Sequence, residues 1–179
     1  MKISYNFCPQ CGSALVQREH GGRERPSCPV VTCGFVFWDN PVIVLAAVVE
    51  QNGHVVLVQG IGWPSHWYGL VTGFMEREET PEEGILREVK EEIGLDGELQ
   101  SFLGTYPFYR NNQLILAYHI RVPDQPIRLQ TDELADYKCV PVQDVIPWDG
   151  GTGLALRDWL RSRGIEREPV PLNRDKFQK

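Results

Sequence analysis

The sequence predicts an α/β domain with a small cysteine-held unit in front of it. Three observations carry that expectation: two short cysteine turns near the N-terminus, a long β-branched run that leads through Asn-Gly into a second apolar run, and one amphipathic helix with start and stop signals, flanked by strands on both sides.

The cysteine unit comes first in the chain. Cys8-Pro9-Gln10-Cys11-Gly12 and Cys28-Pro29-Val30-Val31-Thr32-Cys33-Gly34 are two cysteine turns separated by sixteen residues. Each closes on a glycine, which permits the tight knuckle in which backbone amides approach thiolates. Residues 1–38 read as a four-cysteine zinc ribbon, with Cys8, Cys11, Cys28 and Cys33 as ligands. Four thiolates fill a tetrahedral sphere and leave no place for water, so the zinc is expected to be structural. A pair of disulfides is the alternative, suited to an oxidising compartment. The second pair has four intervening residues rather than two, within the tolerance of zinc knuckles. Cys139 is left over and reads as a buried apolar side chain rather than a nucleophile.

Asp39-Asn40-Pro41 marks the boundary of a second domain, expected over 39–165, with a charged, proline-bearing tail over 166–179. Strands are expected from Val42 to Glu50 and from His54 to Gln59, joined at Gln51-Asn52-Gly53, where Asn-Gly is a hairpin signal. The unbroken apolar run from Val42 to Val49 points to a strand buried on both faces. Further on, Gln100–Arg110 and Leu114–Val122 read as a hairpin around Asn111-Asn112, and Lys138–Val142 as a short strand. Thr152–Arg163 has helical periodicity through Leu156, Trp159 and Leu160, with Gly164 as its stop.

The best-specified element is the helix after Thr80. Thr80 is the expected N-cap, Pro81 suits the first helical position, and Glu83 three residues on completes a capping box. Gly94 is the expected left-handed stop. Ile85, Val89 and Ile93 form one apolar stripe, and Glu88, Glu91 and Glu92 fall together on an adjoining face. Like charges at this spacing repel by a few tenths of a kcal/mol per pair. A magnesium or manganese ion would offset that repulsion, since hard cations take carboxylate oxygens. A plain solvated helix face is the alternative.

The wider spacing resolves the choice. Gly73, five residues, Glu79, seven residues, Arg87-Glu88-Val89, one residue, Glu91-Glu92, one residue and Gly94-Leu95 fill nine defined positions over 23 residues. That pattern resembles the Nudix box at every position. The resemblance implies a Nudix α/β/α sandwich with a mixed sheet and a loop-helix-loop in which Glu88, Glu91 and Glu92 bind magnesium or manganese. It further implies that Glu79 supports the metal site, that Arg87 orients the acids, and that the backbone carbonyl of Thr72 or Gly73 is a further ligand. A base or extra ligand from outside the box is expected at Glu133 or Asp136. A homodimer is expected on the resemblance alone.

Hydrolysis of a pyrophosphate is the chemistry such a site serves, because cations neutralise its oxygens and lower the pKa of the attacking water, and Glu92 or Glu91 can take the proton. Ribbon plus box resembles NADH pyrophosphatase and relatives acting on ADP-ribose or FAD, and Thr72-Gly73-Phe74 is similar to the Ala-Gly-Phe variant of the NADH branch. NADH pyrophosphatases carry Ser-Gln-Pro-Trp-Pro-Phe-Pro after the box. Here that stretch is Ser101-Phe102-Leu103-Gly104-Thr105-Tyr106-Pro107-Phe108, so ADP-ribose or FAD, cleaved to release AMP, is the expected substrate. NADH or an NAD cap on RNA is the alternative. Trp67 and Tyr106 are the first candidates to stack a ring, Arg110 is a candidate phosphate partner, and His66 reads as a surface side chain.

Composition narrows the remaining classes. A net charge of −6 argues against a general nucleic-acid binder. No apolar run approaches the ~20 residues of a membrane span, and the first residues do not form a signal peptide, so a cytoplasmic location is expected. A zinc-ribbon regulator that uses the same fold as a ligand sensor is the other class considered. The three intact acids count against it.

Overall fold

The computed structural model describes residues 5–172; residues 1–4 and 173–179, the latter including half of the expected tail, lie outside them. Contacts divide the chain between Pro41 and Val42 into two compact units.

In the first unit, β1 (Val16–His20) and β2 (Arg23–Ser27) form an antiparallel hairpin. Gly21 and Gly22 turn it, both at positive φ (62° and 76°) that other residues resist. The sequence reading anticipated the knuckles but not these strands. Their sequences, Val-Gln-Arg-Glu-His and Arg-Glu-Arg-Pro-Ser, carry no apolar alternation because the unit has little core to bury.

The second unit is built on β3 (Val42–Gln51), which turns through Asn52 (φ 47°) and Gly53 (φ 72°) into β4 (His54–Gly60), the paired left-handed geometry that Asn-Gly favours. β5 (Val71–Phe74) pairs with the first half of β3 on the side whose second half pairs with β4. Helix α1 (Pro81–Ile93) follows. β6 (Glu98–Phe108), a single 3-10 turn over Tyr109–Asn111 and β7 (Gln113–Arg121) form the expected hairpin, and β7 lies parallel to β3. β8 (Leu134–Pro141) pairs with β4 and begins four residues before the expected Lys138 start. Helix α2 (Thr152–Ser162) closes the unit. The sheet is mixed, in the order β6-β7-β3-β4-β8.

Side-chain alternation along β3 separates two cores. Leu45, Ala47 and Val49 pack with Ile85, Val89 and Ile93 of α1, while Val48 packs with Leu156, Trp159 and Leu160 of α2, and Val44 and Ala46 with Ala155. The expectation of a strand buried on both faces therefore holds, with one helix on each face. Cys139 departs from expectation. It is exposed, because β8 is an edge strand with no helix over that position. No helix among the described residues is long and apolar enough to cross a membrane.

Candidate active site

The site grows out of the start of α1. Thr80 N–H donates to the Glu83 carboxylate (2.8 Å) and Glu83 N–H donates to the Thr80 hydroxyl (3.2 Å), closing the capping box. Gly94, at φ 72°, ends the helix and donates its N–H to the Lys90 carbonyl. With Ile85, Val89 and Ile93 fully buried, the adjoining face turns Glu88 and Glu92 inward toward β5.

Two glycines make this approach possible. A Cβ on Gly73 would lie 1.8 Å from Glu88 Cδ, so the carboxylate occupies the space a side chain would take. A Cβ on Gly84 would lie 2.5 Å from Leu45 Cδ1 and 2.6 Å from Glu79 Oε1. Gly84 thus lets α1 sit close to both β3 and Glu79. The sequence reading passed over it, although a helix-interior glycine, costing about 1 kcal/mol against alanine, is itself a signal of close packing.

Arg87 organises the acids. Its Nε and Nη2 donate to the two Glu79 oxygens (3.0 and 2.9 Å), Nη1 donates to Glu88 (2.7 Å) and Glu91 (3.0 Å), and Nη2 also donates to the Phe74 carbonyl (3.2 Å). These contacts use all five N–H groups of the guanidinium. They hold the Glu79 carboxyl below its usual range, helped by a hydrogen bond from Glu76 N–H (2.6 Å).

Glu88 and Glu92 respond in the other direction. Burial outweighs Arg87 and raises Glu88, with Glu91 and Glu133 adding to the rise. Glu92 is 5% exposed. Burial first, and then the charge of Glu88, push its carboxyl up to about 8, against a hydrogen bond from the Thr72 backbone and with further repulsion from Glu133 and Glu91. One of its oxygens, Oε2, is buried without a hydrogen-bond partner. A buried, partnerless carboxylate oxygen beside a second carboxylate suits a hard divalent cation, which accepts several oxygens at once.

Glu88 and Glu91 border a cleft of about 1010 Å³, whereas buried Glu92 is not among its lining residues. Glu88, Glu91, Glu133, Thr72, Gly73 and Arg87 all line it. Of the two outside candidates, Glu133 stands within electrostatic reach of Glu88 and Glu92. Asp136 instead accepts the Tyr68 hydroxyl at 2.6 Å.

The candidate ring and phosphate partners separate. Trp67 lines the cleft, as do Trp63, Tyr68 and His66. Trp63 and Trp67 stand edge to face at 6.4 Å, and the Gln59 side chain fixes their loop by donating to the carbonyls of Pro64 (3.0 Å) and Trp67 (3.1 Å). Lys138, another lining residue, holds its ammonium 3.9 Å above the Tyr68 ring. Tyr106 lies elsewhere. It is buried with Ile115, Ala117 and Ala155, and its hydroxyl donates to Asp158 (3.1 Å), so it is a core residue under α2. Arg110 is exposed on the 3-10 turn and does not line the cleft.

In the N-terminal unit the Sγ atoms of Cys8, Cys11, Cys28 and Cys33 lie within 4.8 Å of one another, with Cys8–Cys33 at 3.6 Å and Cys11–Cys28 at 3.5 Å. A tetrahedron with Zn–S bonds of about 2.3 Å has S–S edges near ~3.8 Å. The four thiols are free rather than disulfide-bonded, and the donor set fits zinc. Among the described residues no group of glutamate oxygens converges this tightly.

Residues 39–161 match the family model described as NUDIX domain. The NAD-capped RNA hydrolase NudC of Vibrio vulnificus is 27% identical over 157 residues, 88% of this chain and 58% of the relative. NudC of Pseudomonas aeruginosa is 27% identical over 168 residues, 92% of this chain and 59% of the relative. The chain therefore spans little more than half the length of these curated relatives. Among solved structures, a NUDIX hydrolase from Nitrosomonas europaea superposes with a TM-score of 0.72 at 22% identity, covering 93% of this chain and 98% of the other. An ADP-ribose pyrophosphatase from Streptococcus suis gives 0.57 at 20% identity, covering 74% and 98%. At these identities the structural likeness is one of fold.

Proposed function

The chain belongs to the NUDIX domain family, whose model covers more than half of it, and from that membership we propose that it is a metal-dependent hydrolase of the pyrophosphate bond joining a nucleoside to a second group. The observation that carries the reaction class is Glu92, a buried carboxyl raised to about 8 with an unpartnered oxygen, beside Glu88 in the space left by Gly73.

Glu88, Glu91 and Glu92 would hold magnesium or manganese, with a backbone carbonyl at Thr72 or Gly73 as a further oxygen ligand. When bound, such ions neutralise phosphate oxygens and acidify a water. Arg87, held by Glu79, keeps Glu88 and Glu91 in place. Glu133, exposed in the cleft within electrostatic reach of Glu88 and Glu92, is the residue assigned to accept the proton of the attacking water. The four cysteines would hold a structural zinc, which would supply folding free energy to the N-terminal unit.

For the substrate, similarity to the NudC relatives over most of this chain supports a dinucleotide of the NAD type, free or as a 5′ cap on RNA, above the ADP-ribose or FAD expected from the stretch after the box. The Ser101–Phe108 stretch that differs from Ser-Gln-Pro-Trp-Pro-Phe-Pro is a single local difference. Purified protein with magnesium, offered NADH, NAD-capped RNA, ADP-ribose and FAD, should release AMP and reduced nicotinamide mononucleotide from NADH at the highest kcat/KM among the free nucleotides, with products identified by mass. No hydrolysis of any pyrophosphate would sink the reaction class. A tenfold preference for ADP-ribose or FAD would return the substrate to the first expectation.

A further inference from the structure

The family match ends at residue 161, yet Val170, Pro171 and Leu172 line the same cleft as the glutamates. Backbone bonds fix this segment. Val170 N–H donates to the Pro147 carbonyl (2.9 Å), Asp149 N–H donates to the Val170 carbonyl (3.0 Å), and Leu172 N–H donates to the Asp149 carboxylate (2.7 Å). Upstream, Arg161 pairs with Glu166 (3.1 Å) and Arg167 donates to the Gln143 carbonyl.

The sheet relates this segment to the acid end. Val44 is paired with Phe74 on one side and Ile115 on the other, so the three form one cross-strand row. Gly73, next to Phe74, abuts Glu88, while a Cβ on Gly151 would stand 3.7 Å from Ile115 Cδ1 and one on Gly150 would stand 3.9 Å from Leu172 Cδ2. The row spans two strand spacings, about 10 Å. The cleft therefore runs from carboxylates to an apolar end, a layout that suits phosphates at one end and a ring at the other.

The apolar end is partly bare. Ile146 is 51% and Val170 47% exposed, both lining the cleft, and covering such surface is favourable at roughly 25 cal/mol per Å². Asn111 and Gln113 line the cleft as well, with Gln113 paired across the hairpin to Phe108. Carboxamides pair with the N6/N7 edge of adenine through two hydrogen bonds. We propose that residues 170–172 are a built-in wall of the substrate cleft, and that Val170 and Leu172 hold the adenine ring of the AMP half while the diphosphate reaches the glutamates. This inference rests on the pyrophosphohydrolase reading.

The test uses the full chain with Val170→Ala and Leu172→Ala combined. The expected result is an AMP affinity, measured by titration calorimetry without magnesium, at least about tenfold weaker than wild type. The KM for NADH should rise by a similar factor, with kcat within about threefold. Leu172→Ala alone should move both in the same direction, and thermal melting confirms that each variant is folded. AMP affinity and KM within twofold of wild type in the folded double variant would overturn the wall. So would a fall in kcat at constant KM, or a wild type that does not bind AMP. If AMP binds the wild type and not the variant while no pyrophosphate is hydrolysed, the adenine wall stands and the hydrolase reading fails.

Discussion

Gly73→Ala isolates the position of one carboxylate from the integrity of the fold. The new Cβ would lie 1.8 Å from Glu88 Cδ and 2.1 and 2.2 Å from its two oxygens. Nonbonded carbon contacts settle near about 3.5–4.0 Å, so the carboxylate must retreat by roughly 1.5–2 Å. That retreat breaks the 2.7 Å bond from Arg87, a charge-assisted contact worth about 1.5–3 kcal/mol when buried and less here because both partners touch solvent. The displaced atoms are the end of a flexible side chain, and the Ile85-Val89-Ile93 stripe is untouched. Melting should therefore fall by only a few degrees, at roughly 2–4 °C per kcal/mol. Turnover should fall far more, since misplacing a catalytic group by about 1 Å costs on the order of a hundredfold. The assay is steady-state release of AMP from NADH with saturating magnesium, beside a thermal melt. A folded variant within about threefold of wild-type kcat would refute the claim that the Glu88 carboxylate must stand against Gly73.

The remaining predictions concern charge and metal. Glu92→Gln should lower kcat by at least about a hundredfold while leaving the protein folded, as checked by turnover and circular dichroism. Because the folded-state pKa of Glu92 is raised to about 8, folding favours its protonated form. Its stabilising contribution is full below the ordinary carboxylate range near ~4.5 and is lost as pH rises through about 8. The melting temperature in magnesium-free buffer should thus decline between pH 5 and 8.5, magnesium should restore it most at the upper end, and Glu92→Gln should flatten the decline; a wild-type profile as flat as the variant's would remove Glu92 as its source. Native mass spectrometry should find one zinc per chain, and a zinc chelator that spares magnesium should abolish amide-exchange protection in β1 and β2; unchanged protection after zinc loss would show that the cysteines do not hold that unit together.

What the sequence discloses depends on how local the cause is. The capping box at Thr80, the left-handed Gly94 and the Asn52-Gly53 turn are set by neighbours within a few residues, and each forms where its residue types place it. The acids share a face because helix periodicity is rigid. By contrast, β5 has four residues, one of them glycine, too short for any period to register, and it exists because β3 offers it an edge. Tyr106 illustrates a different failure. β6 slips register at Leu99/Ser101 and again at Phe102/Gly104, so counting alternate residues along it does not tell which face a side chain takes. The apolar end of the cleft is assembled from Ile146, Trp148, Val170 and Leu172, contributed by non-helical segments on either side of α2. No single window of sequence contains that cluster, whereas the box lies in one.

The parallel pairing of β3 with β7 has a consequence for synthesis. Val42 faces Gln113, 71 positions later (113 − 42), so the central strand waits for residues 113–121 before its second edge is filled. Closing so long a loop delays the contacts that reward it. The whole span from Gly73 to Leu95 leaves the ribosome inside that interval, capped and patterned for a helix but without the completed sheet beneath it. A nascent chain halted before β7 would contain every residue of the box, with half of the sheet that positions Glu88 and Glu92 still unmade.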